Sequence, residues 1–408
     1  MCFDFRRKIR YVYAMKILLV SDYAVPRGGN EVVTLSLRDG LRTRGHDVRL
    51  FASRAFMGRE RGTADYECFG TGSSWRAATW CANPSAYLRL RRVLDEFRPD
   101  VVHVRLFLSQ LSPLILPLLR DVPAIYHDGW YRTVCPVGSR VLPSGAGCVE
   151  PAGAACYRSG CVPAAAWPLL MLQLRLWRRW RRVFDAVVAN SQAVAEWLHV
   201  DDGPAVKVVP NGVKAVPFRP PLSDPPLIVY AGRLSYEKGV DTLLQAFALV
   251  VKNRPEARLL IAGEGEESER LRQMAQPLGG AVEFLGHRSR DTVERRFQEA
   301  WVQVVPSRGR EAFGNAAAEA MMRGTALVAT AAGGFLEYVR HEQTGILIPP
   351  DDPATLAQVL TRLCEDRAAV DALGQAGCRF AREIFDYDRF LDRFEQIYRE
   401  VIDLAGRT

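Results

Sequence analysis

Two glutamates eight positions apart carry the most specific chemical signal in this sequence. Glu311 follows an apolar run that ends at Val305, and Glu319 lies inside an alanine-rich stretch that favours a helix. An ionised carboxylate only accepts hydrogen bonds, so one glutamate suits a sugar hydroxyl and the other suits the ribose diol of a nucleotide. Free backbone N–H groups at the start of this helix, which would stabilise a phosphate, belong to Phe313, Gly314 and Asn315. The alternative is that Glu311 only favours the helix dipole and that Glu319 is a surface residue.

Two cations follow another apolar run. Arg233 and Lys238 lie within Gly232–Gly239, in a predicted strand-to-helix loop, where two positive charges suit a diphosphate. A solvated charged turn is the open alternative for this segment. Gly263 and Gly265 follow a further apolar run and let the backbone approach a ligand closely. They lack the G-x-G-x-x-G spacing, which argues against a dinucleotide cofactor and a Rossmann dehydrogenase.

The elements that must position these residues are short apolar runs that alternate with helical stretches. This alternation predicts an α/β protein with parallel sheets, whose ligands bind at the carboxyl ends of the strands. The runs in the first half are Lys16–Asp22, Asp47–Ala52, Val101–Val104, Ala124–His127, Ala186–Asn190 and Val206–Pro210. The runs in the second half are Leu227–Gly232, Ala257–Ala262, Val282–Leu285, Trp301–Val305, Ala326–Thr330 and Gly345–Pro349.

A proline-rich segment separates these two sets of strands. Five prolines lie within Asn211–Pro226, a density that interrupts regular structure and is typical of a linker. Two doubly wound domains on either side of it would face each other across a cleft. The expected divisions are an extension at 1–14, a first domain at 15–212, a linker at 213–226, a second domain at 227–385 and a C-terminal helix at 386–408, which would cross back to the first domain.

The pattern E-x(7)-E, with Phe-Gly-Asn after its first glutamate, resembles the signature of the large family four of retaining GT-B glycosyltransferases. The turn that holds Arg233 and Lys238 is similar to that family's G-R-x-x-x-x-K-G turn, and Gly333–Glu337 is similar to its Gly-Gly-x-x-Glu turn. The resemblance runs in consistent order over about residues 15–400. It implies the GT-B fold, in which two Rossmann-like parallel-sheet domains face each other across a cleft.

The same resemblance implies roles for individual residues. Glu319 would hold the ribose, Glu311 the donor hexose, and Arg233 and Lys238 the diphosphate. Backbone contacts to the donor would come from Gly263, Gly265, Leu285 and Gly29. On the acceptor side of the cleft, the resemblance places Gly28, Asn30, His127 and Asp128, with His127 beside the donor sugar or the acceptor. A structural role is the open alternative for His127.

The implied reaction is transfer of a hexosyl group from a UDP- or GDP-sugar to a glycan or lipid-linked acceptor, with retention, in surface polysaccharide or glycoconjugate synthesis. Catalysis would be electrostatic, because the two cations and the helix N–H groups stabilise charge that grows on the diphosphate. We therefore expect no cofactor to be required for catalysis. The alternatives are another GT-B enzyme, namely an epimerase or a phosphorylase, and a non-catalytic GT-B partner subunit.

Four cysteines follow His127 in a loop rich in glycine and proline. In a reducing compartment such a cluster suggests a structural zinc ion held by four thiolates. The alternatives are an iron–sulfur cluster, redox disulfides or four independent thiols. The candidate ligands are Cys135, Cys148, Cys156 and Cys161.

Charge is distributed unevenly along the chain. Residues 1–220 carry 31 Lys and Arg against 18 Asp and Glu, and residues 221–408 carry 23 against 28. Tryptophans, leucines and arginines are interleaved at 167–182, which suits the headgroup region of an anionic membrane, although a core-packing helix with a basic face is the alternative. No apolar run approaches the roughly 20 residues that cross a bilayer, so we expect a cytoplasmic protein peripheral to the inner membrane face. No nucleic-acid recognition motif accompanies the charge.

Overall fold

The computed structural model describes residues 14–26, 28–55, 63–73, 77, 79–198 and 203–406. Apart from Ala14, the expected N-terminal extension at 1–14 lies outside these residues. The described chain forms two α/β domains, each built on one parallel sheet, as the sequence predicts.

The first domain is a seven-stranded parallel sheet with helices on its faces. Its strands are β1 (Lys16–Ser21), β2 (Asp47–Ser53), β3 (Tyr66–Cys68), β4 (Val101–Val104), β5 (Ala124–Asp128), β6 (Ala186–Ala189) and β7 (Val206–Val208). Its helices are α1 (Gly29–Thr43), α2 (Pro84–Phe97), α3 (Ala154–Arg158), α4 (Trp167–Trp180) and α5 (Gln192–Leu198). The strand order is β3-β2-β1-β4-β5-β6-β7, so the order reverses beside β1. Ligands bind at such a reversal in doubly wound sheets.

The second domain repeats this design with six strands. They are β8 (Leu227–Ala231), β9 (Arg258–Ala262), β10 (Val282–Gly286), β11 (Val302–Val305), β12 (Ala326–Thr330) and β13 (Ile346–Ile348), in the order β10-β9-β8-β11-β12-β13. Its helices are α6 (Val240–Asn253), α7 (Ser268–Ala275), α8 (Arg290–Phe297), α9 (Asn315–Arg323), α10 (Phe335–Tyr338), α11 (Pro353–Glu365) and α12 (Arg367–Ile384). The order reverses between β8 and β11, and the loops after these two strands carry the predicted cations and the first glutamate.

The last helix, α13 (Tyr387–Ala405), packs on the first domain although it follows the second in sequence. Phe394 and Tyr398 are fully buried in the same core cluster as β1 and α1. The chain therefore crosses between the domains twice. The two crossings lie side by side, because the backbone N–H of Val213 donates to the carbonyl of Phe385 at 2.8 Å.

Candidate functional site

Lys238 and Glu311 form an ion pair where two strands of the second domain end. Lys238 Nζ donates to Glu311 Oε1 at 2.5 Å, and Ser307 Oγ donates to the same oxygen at 2.6 Å. Burial raises the pKa of the Glu311 carboxyl, but the charge and hydrogen bond of Lys238, with Ser307 and Arg233, outweigh it and hold the pKa below its ordinary value. Glu311 is therefore an ionised acceptor for hydrogen bonds.

Arg308, which was not selected from the sequence, holds the loop that carries Lys238. Its guanidinium donates to the carbonyl of Tyr236 at 2.9 Å, and its backbone N–H donates to the carbonyl of Glu237 at 2.9 Å. Arg308 is almost fully buried and also pairs with Asp241 at 2.7 Å. The end of β11 therefore holds the 236–238 turn against the segment that begins at Ser307.

Arg233 lies on the open side of this pair. Its side chain is 66% exposed, and Nη2 lies 3.3 Å from Glu237 Oε1. The positive charge of Arg233 favours the ionised form of Glu311. It also favours the ionised form of Glu31 in the first domain, so for each carboxyl Arg233 opposes the rise in pKa that burial causes. This cation therefore faces the cleft between the two domains.

Helix α9 begins at Asn315, four residues after Glu311, with Gly314 as its N-cap and no side-chain cap. The phenyl ring of Phe313 is buried against Tyr338 and Phe385, so only the backbone of Phe313 is free to face a ligand. Because no side chain caps this helix, the N–H groups of its first turn are available to an anion.

Glu319 lies four residues beyond Asn315 on α9, so the two side chains share one face of the helix. Glu319 Oε1 is paired with Arg290 Nη2 at 3.1 Å. Burial raises the pKa of Glu319, and the charge of Arg290 opposes that rise. The side chains of Glu319 and Arg290 line a small cavity between α1 and α9, and Lys214 lines it as well. The cavity places Glu319 at the boundary between the domains.

The glycine loop after β9 packs against the loop after β8. A Cβ at Gly263, where φ is +139°, would lie 1.8 Å from the carbonyl oxygen of Gly232, and one at Gly265 would lie 2.1 Å from that of Leu234. Only glycine fits at these positions. Leu285 is a core side chain at the end of β10, so it offers a ligand its backbone alone.

The acceptor side begins at α1, whose N-cap is Gly28. A Cβ at Gly29 would lie 2.4 Å from Asn315 Nδ2, which shows how closely the two domains approach at this point. Asn30 Nδ2 donates to the carbonyl of Gly129 at 3.2 Å and so connects α1 with the end of β5. These residues lie opposite the start of α9.

His127 is packed inside the first domain. Its ring lies 4.9 Å from that of Phe394, and Arg105 Nη1 donates to its Nδ1 at 2.6 Å. Burial, followed by the charge of Arg105, lowers the pKa of His127, so the imidazole is neutral. Asp128 is also buried and accepts from Thr133 Oγ1 at 2.6 Å; burial outweighs its hydrogen bonds and raises its pKa to about 6.

Two further charged residues of the first domain belong to this site and were missed from sequence. Arg105 is 1% exposed, and in the described part of the chain it forms no ion pair with a carboxylate. Glu31 is nearly buried in the first turn of α1, and burial raises its pKa against the charges of Arg105 and Arg233. Glu31 lies two positions after Gly29, which was already selected, so its position was the available signal.

The cysteine loop crosses from the first domain to the second. A Cβ at Gly309 would lie 2.3 Å from Val141 Cγ2, which shows that the loop touches the segment before Glu311. Burial, followed by the thiols of the other three cysteines, raises the pKa of Cys161. All four thiols are free, and Cys135 is buried in the core of the first domain.

The structure does not gather the thiols of these four cysteines into a ready-made metal site. In the residues that the structure describes, no group of three or more His, Cys, Asp or Glu side chains is arranged to hold a metal ion. The burial of Cys135 directs it into the core, whereas Cys148, Cys156 and Cys161 are half-exposed. The zinc stays a prediction for metal analysis of the purified protein, and no role below depends on it.

Comparison with known proteins agrees with this geometry. The family model "Glycosyltransferase Family 4" matches residues 27–215, and "Glycosyl transferases group 1" matches residues 215–379. A D-inositol 3-phosphate glycosyltransferase of Xylanimonas cellulosilytica is 28% identical over 414 residues, which cover 91% of this chain and 92% of that protein. An uncharacterized glycosyltransferase of Methanocaldococcus jannaschii is 30% identical over 219 residues; these cover 50% of this chain and 56%, about half, of that relative's length.

The solved structure of Anabaena HepE in complex with UDP and glucose has the same fold, with a TM-score of 0.67 and 19% identity, over 95% of this chain and 100% of that one. Two parallel-sheet domains that face each other across a cleft, with cations and carboxylates on the facing edges, define the GT-B class of glycosyltransferase. Within that class, this chain belongs to family four of the glycosyltransferases.

Proposed function

We propose that this protein transfers a hexosyl group from a nucleotide-sugar to a glycan or lipid-linked acceptor with retention of configuration. The observation that carries the proposal is the contact of Lys238 with Glu311, beside Arg233 and the uncapped start of α9. The cation suits the diphosphate end of a sugar diphosphate, and the adjacent ionised carboxylate suits the hydroxyls of its sugar end. HepE, which shares the fold, binds UDP and glucose, and this supports a nucleotide-sugar as the donor.

In the proposed reaction, the protein stabilises charge rather than attacking the sugar. The diphosphate lies between Arg233, Lys238 and the N–H groups of α9, whose fixed dipoles stabilise the charge of the leaving group. Glu311 accepts a hydrogen bond from a hexose hydroxyl, and Glu319 accepts from the ribose. The departing phosphate takes the proton of the acceptor hydroxyl on the face that it leaves, so the new bond keeps the donor's configuration.

Arg233 and Glu319, two of these ligand-binding side chains, are already paired inside the free protein. Arg233 contacts Glu237 and Arg290 contacts Glu319, and both pairs are partly exposed. Exposed ion pairs are worth at most about 1 kcal/mol, so a ligand replaces them at small cost.

A panel of nucleotide-sugars tests the donor assignment. We expect a UDP- or GDP-sugar to stabilise the protein by about 2.7 kcal/mol at about 100 times its Kd, because a ligand that binds only the native state adds RT ln(1 + [L]/Kd). The measurement is thermal unfolding with UDP-, GDP- and ADP-linked glucose and mannose. Stabilisation by none of them, in protein that unfolds cooperatively, contradicts the proposal.

The acceptor half carries a surface suited to an anionic membrane. Leu169 and Leu172 on α4 are 41% and 46% exposed, and no acidic residue occurs between Glu150 and Asp185. The helix as a whole also packs in the core through Leu170, Leu174 and Trp177, among others. Among the described helices, none combines the length and apolar character that spanning a bilayer requires. We therefore propose that α4 lies at the membrane surface, where a lipid-linked acceptor would be reached.

Removing two arginines from this surface should weaken membrane binding. Arg175 and Arg179 are exposed and form no ion pair with any described residue. At about 1 kcal/mol per cation, Arg175→Gln with Arg179→Gln should lower affinity for vesicles containing phosphatidylserine about thirtyfold. The control, Lys252→Gln with Arg393→Gln, removes the same charge from other exposed positions. Equal losses in both double variants, measured by co-sedimentation, would show that net charge and not α4 binds the vesicle.

A further inference from the structure

A carboxylate of the second domain caps a helix of the first. Glu337 Oε2 accepts from the backbone N–H of Gln192 at 2.8 Å, and Glu337 Oε1 accepts from that of Ala193 at 2.7 Å. Gln192 and Ala193 are the first two residues of α5, whose N–H groups have no partner within the helix. Ser191 Oγ accepts from the backbone N–H of Val194, the next donor along the helix. One side chain therefore joins the two domains through two charge-assisted hydrogen bonds.

The short helix that carries Glu337 is connected to the loop of Glu311. The backbone N–H of Gly334 donates to the carbonyl of Glu311 at 2.8 Å, and Tyr338 Oη donates to the carbonyl of Phe313 at 2.6 Å. A Cβ at Gly333 would lie 2.3 Å from the same carbonyl of Glu311, so α10 and this loop are in direct contact. A displacement of α10 therefore displaces the backbone of Glu311.

The other end of the connection leads to the acceptor side. Helix α5 follows β6 directly, and Asn190 between them donates to the carbonyl of Gly129 at 3.4 Å. The carbonyl of Gly129 also accepts from Asn30, at the start of α1 on the acceptor side. The contact of Glu337 with α5 thus joins the segment that carries Glu311 to the segment that carries Asn30.

We propose that Glu337 is a positioning residue that holds the two halves of the site in register when the cleft is closed. This inference rests on the proposed function, because transfer requires donor and acceptor residues from opposite domains. Glu337 touches neither substrate and acts through the loop of Glu311. Its carboxylate is exposed, so water can replace the two hydrogen bonds and the contact can open for product release.

Hydrogen exchange at the start of α5 tests the contact without catalysis. Glu337→Ala should speed exchange of the Gln192 and Ala193 amides about two- to thirtyfold, the equilibrium equivalent of losing a helix N-cap. Glu342→Ala, which removes another exposed glutamate of the same domain, should leave these amides unchanged. Exchange in Glu337→Ala equal to that in wild type overturns the proposal.

Gln192→Pro removes one of the two donors and is compatible with the first position of a helix. If Glu337 acts through α5, Glu337→Ala and Gln192→Pro each lower acceptor-dependent turnover, and the double variant loses no more than Glu337→Ala alone. Additive losses overturn the proposal, because the two residues would then act separately. A wild-type protein that consumes no nucleotide-sugar refutes the proposed function instead, and the exchange comparison still decides whether the contact exists.

Discussion

Lys238→Ala is expected to lower nucleotide-sugar turnover by about two to three orders of magnitude. Lys238 is placed to neutralise the charge that grows on the departing diphosphate, and loss of one such donor typically costs this much. The measurement is steady-state release of the nucleoside diphosphate with and without acceptor. Lys252→Ala is the matched control, since it removes an exposed lysine from the same domain. A Lys238→Ala enzyme within a factor of a few of wild type would contradict the assignment.

The same variant changes the titration of Glu311. In the wild type, burial raises the pKa of Glu311, but Lys238 and its neighbours lower it to a net value below the ordinary one. A lowered carboxyl pKa contributes stability above the unfolded pKa, and this stability is lost as pH falls through the folded pKa. Without Lys238 the burial effect dominates and Glu311 takes up a proton nearer neutral pH. The stability lost in Lys238→Ala should therefore be largest near neutral pH, where Glu311 is ionised in the wild type, and should shrink as pH falls through the titration of Glu311.

Arg233→Ala is expected to lower turnover by a similar two to three orders of magnitude, about the effect of removing a phosphate clamp. Its effect on stability should be small, because the side chain is 66% exposed and its contact with Glu237 is a surface ion pair. Turnover and thermal unfolding measured on the same protein separate the two effects. Lys238→Ala, in contrast, should lower both.

The control for Arg233→Ala is Arg296→Ala. Arg296 is a half-exposed arginine of α8 that is paired with Glu283 of β10 at 2.7 Å. It should keep wild-type turnover. Equal activity of the two variants would show that Arg233 is only a surface cation, which is the alternative that the sequence left open.

Fold prediction succeeded because buried parallel strands are nearly continuous apolar runs. All twelve predicted strands are present, with ends within two residues of those observed. One observed strand, β3, was not predicted. It is a three-residue edge strand at Tyr66–Cys68, where a half-exposed tyrosine and a glutamate leave no apolar run. Short edge strands are formed by pairing with a neighbour, here β2, and not by their own composition.

Individual site residues could be predicted where they follow a strand. Arg233, Lys238 and Glu311 were selected because parallel strands bring their carboxyl ends to one edge. Their pairing could not be predicted, because Lys238 and Glu311 are 73 positions apart and meet only through the order of β8 and β11. Arg308 was missed for a related reason. An arginine in a loop after a strand is usually exposed, and this one is buried because it pairs with Asp241 of α6, which is distant in sequence.

Calorimetric titration of the nucleoside diphosphate that stabilises the protein most tests the central claim directly. The account predicts one site per chain in the wild type and at least about a hundredfold weaker binding in the double variant Arg233→Ala with Lys238→Ala, because both charges face the same diphosphate. A folded double variant that binds the diphosphate as tightly as wild type would contradict the claim that these loops form the donor site.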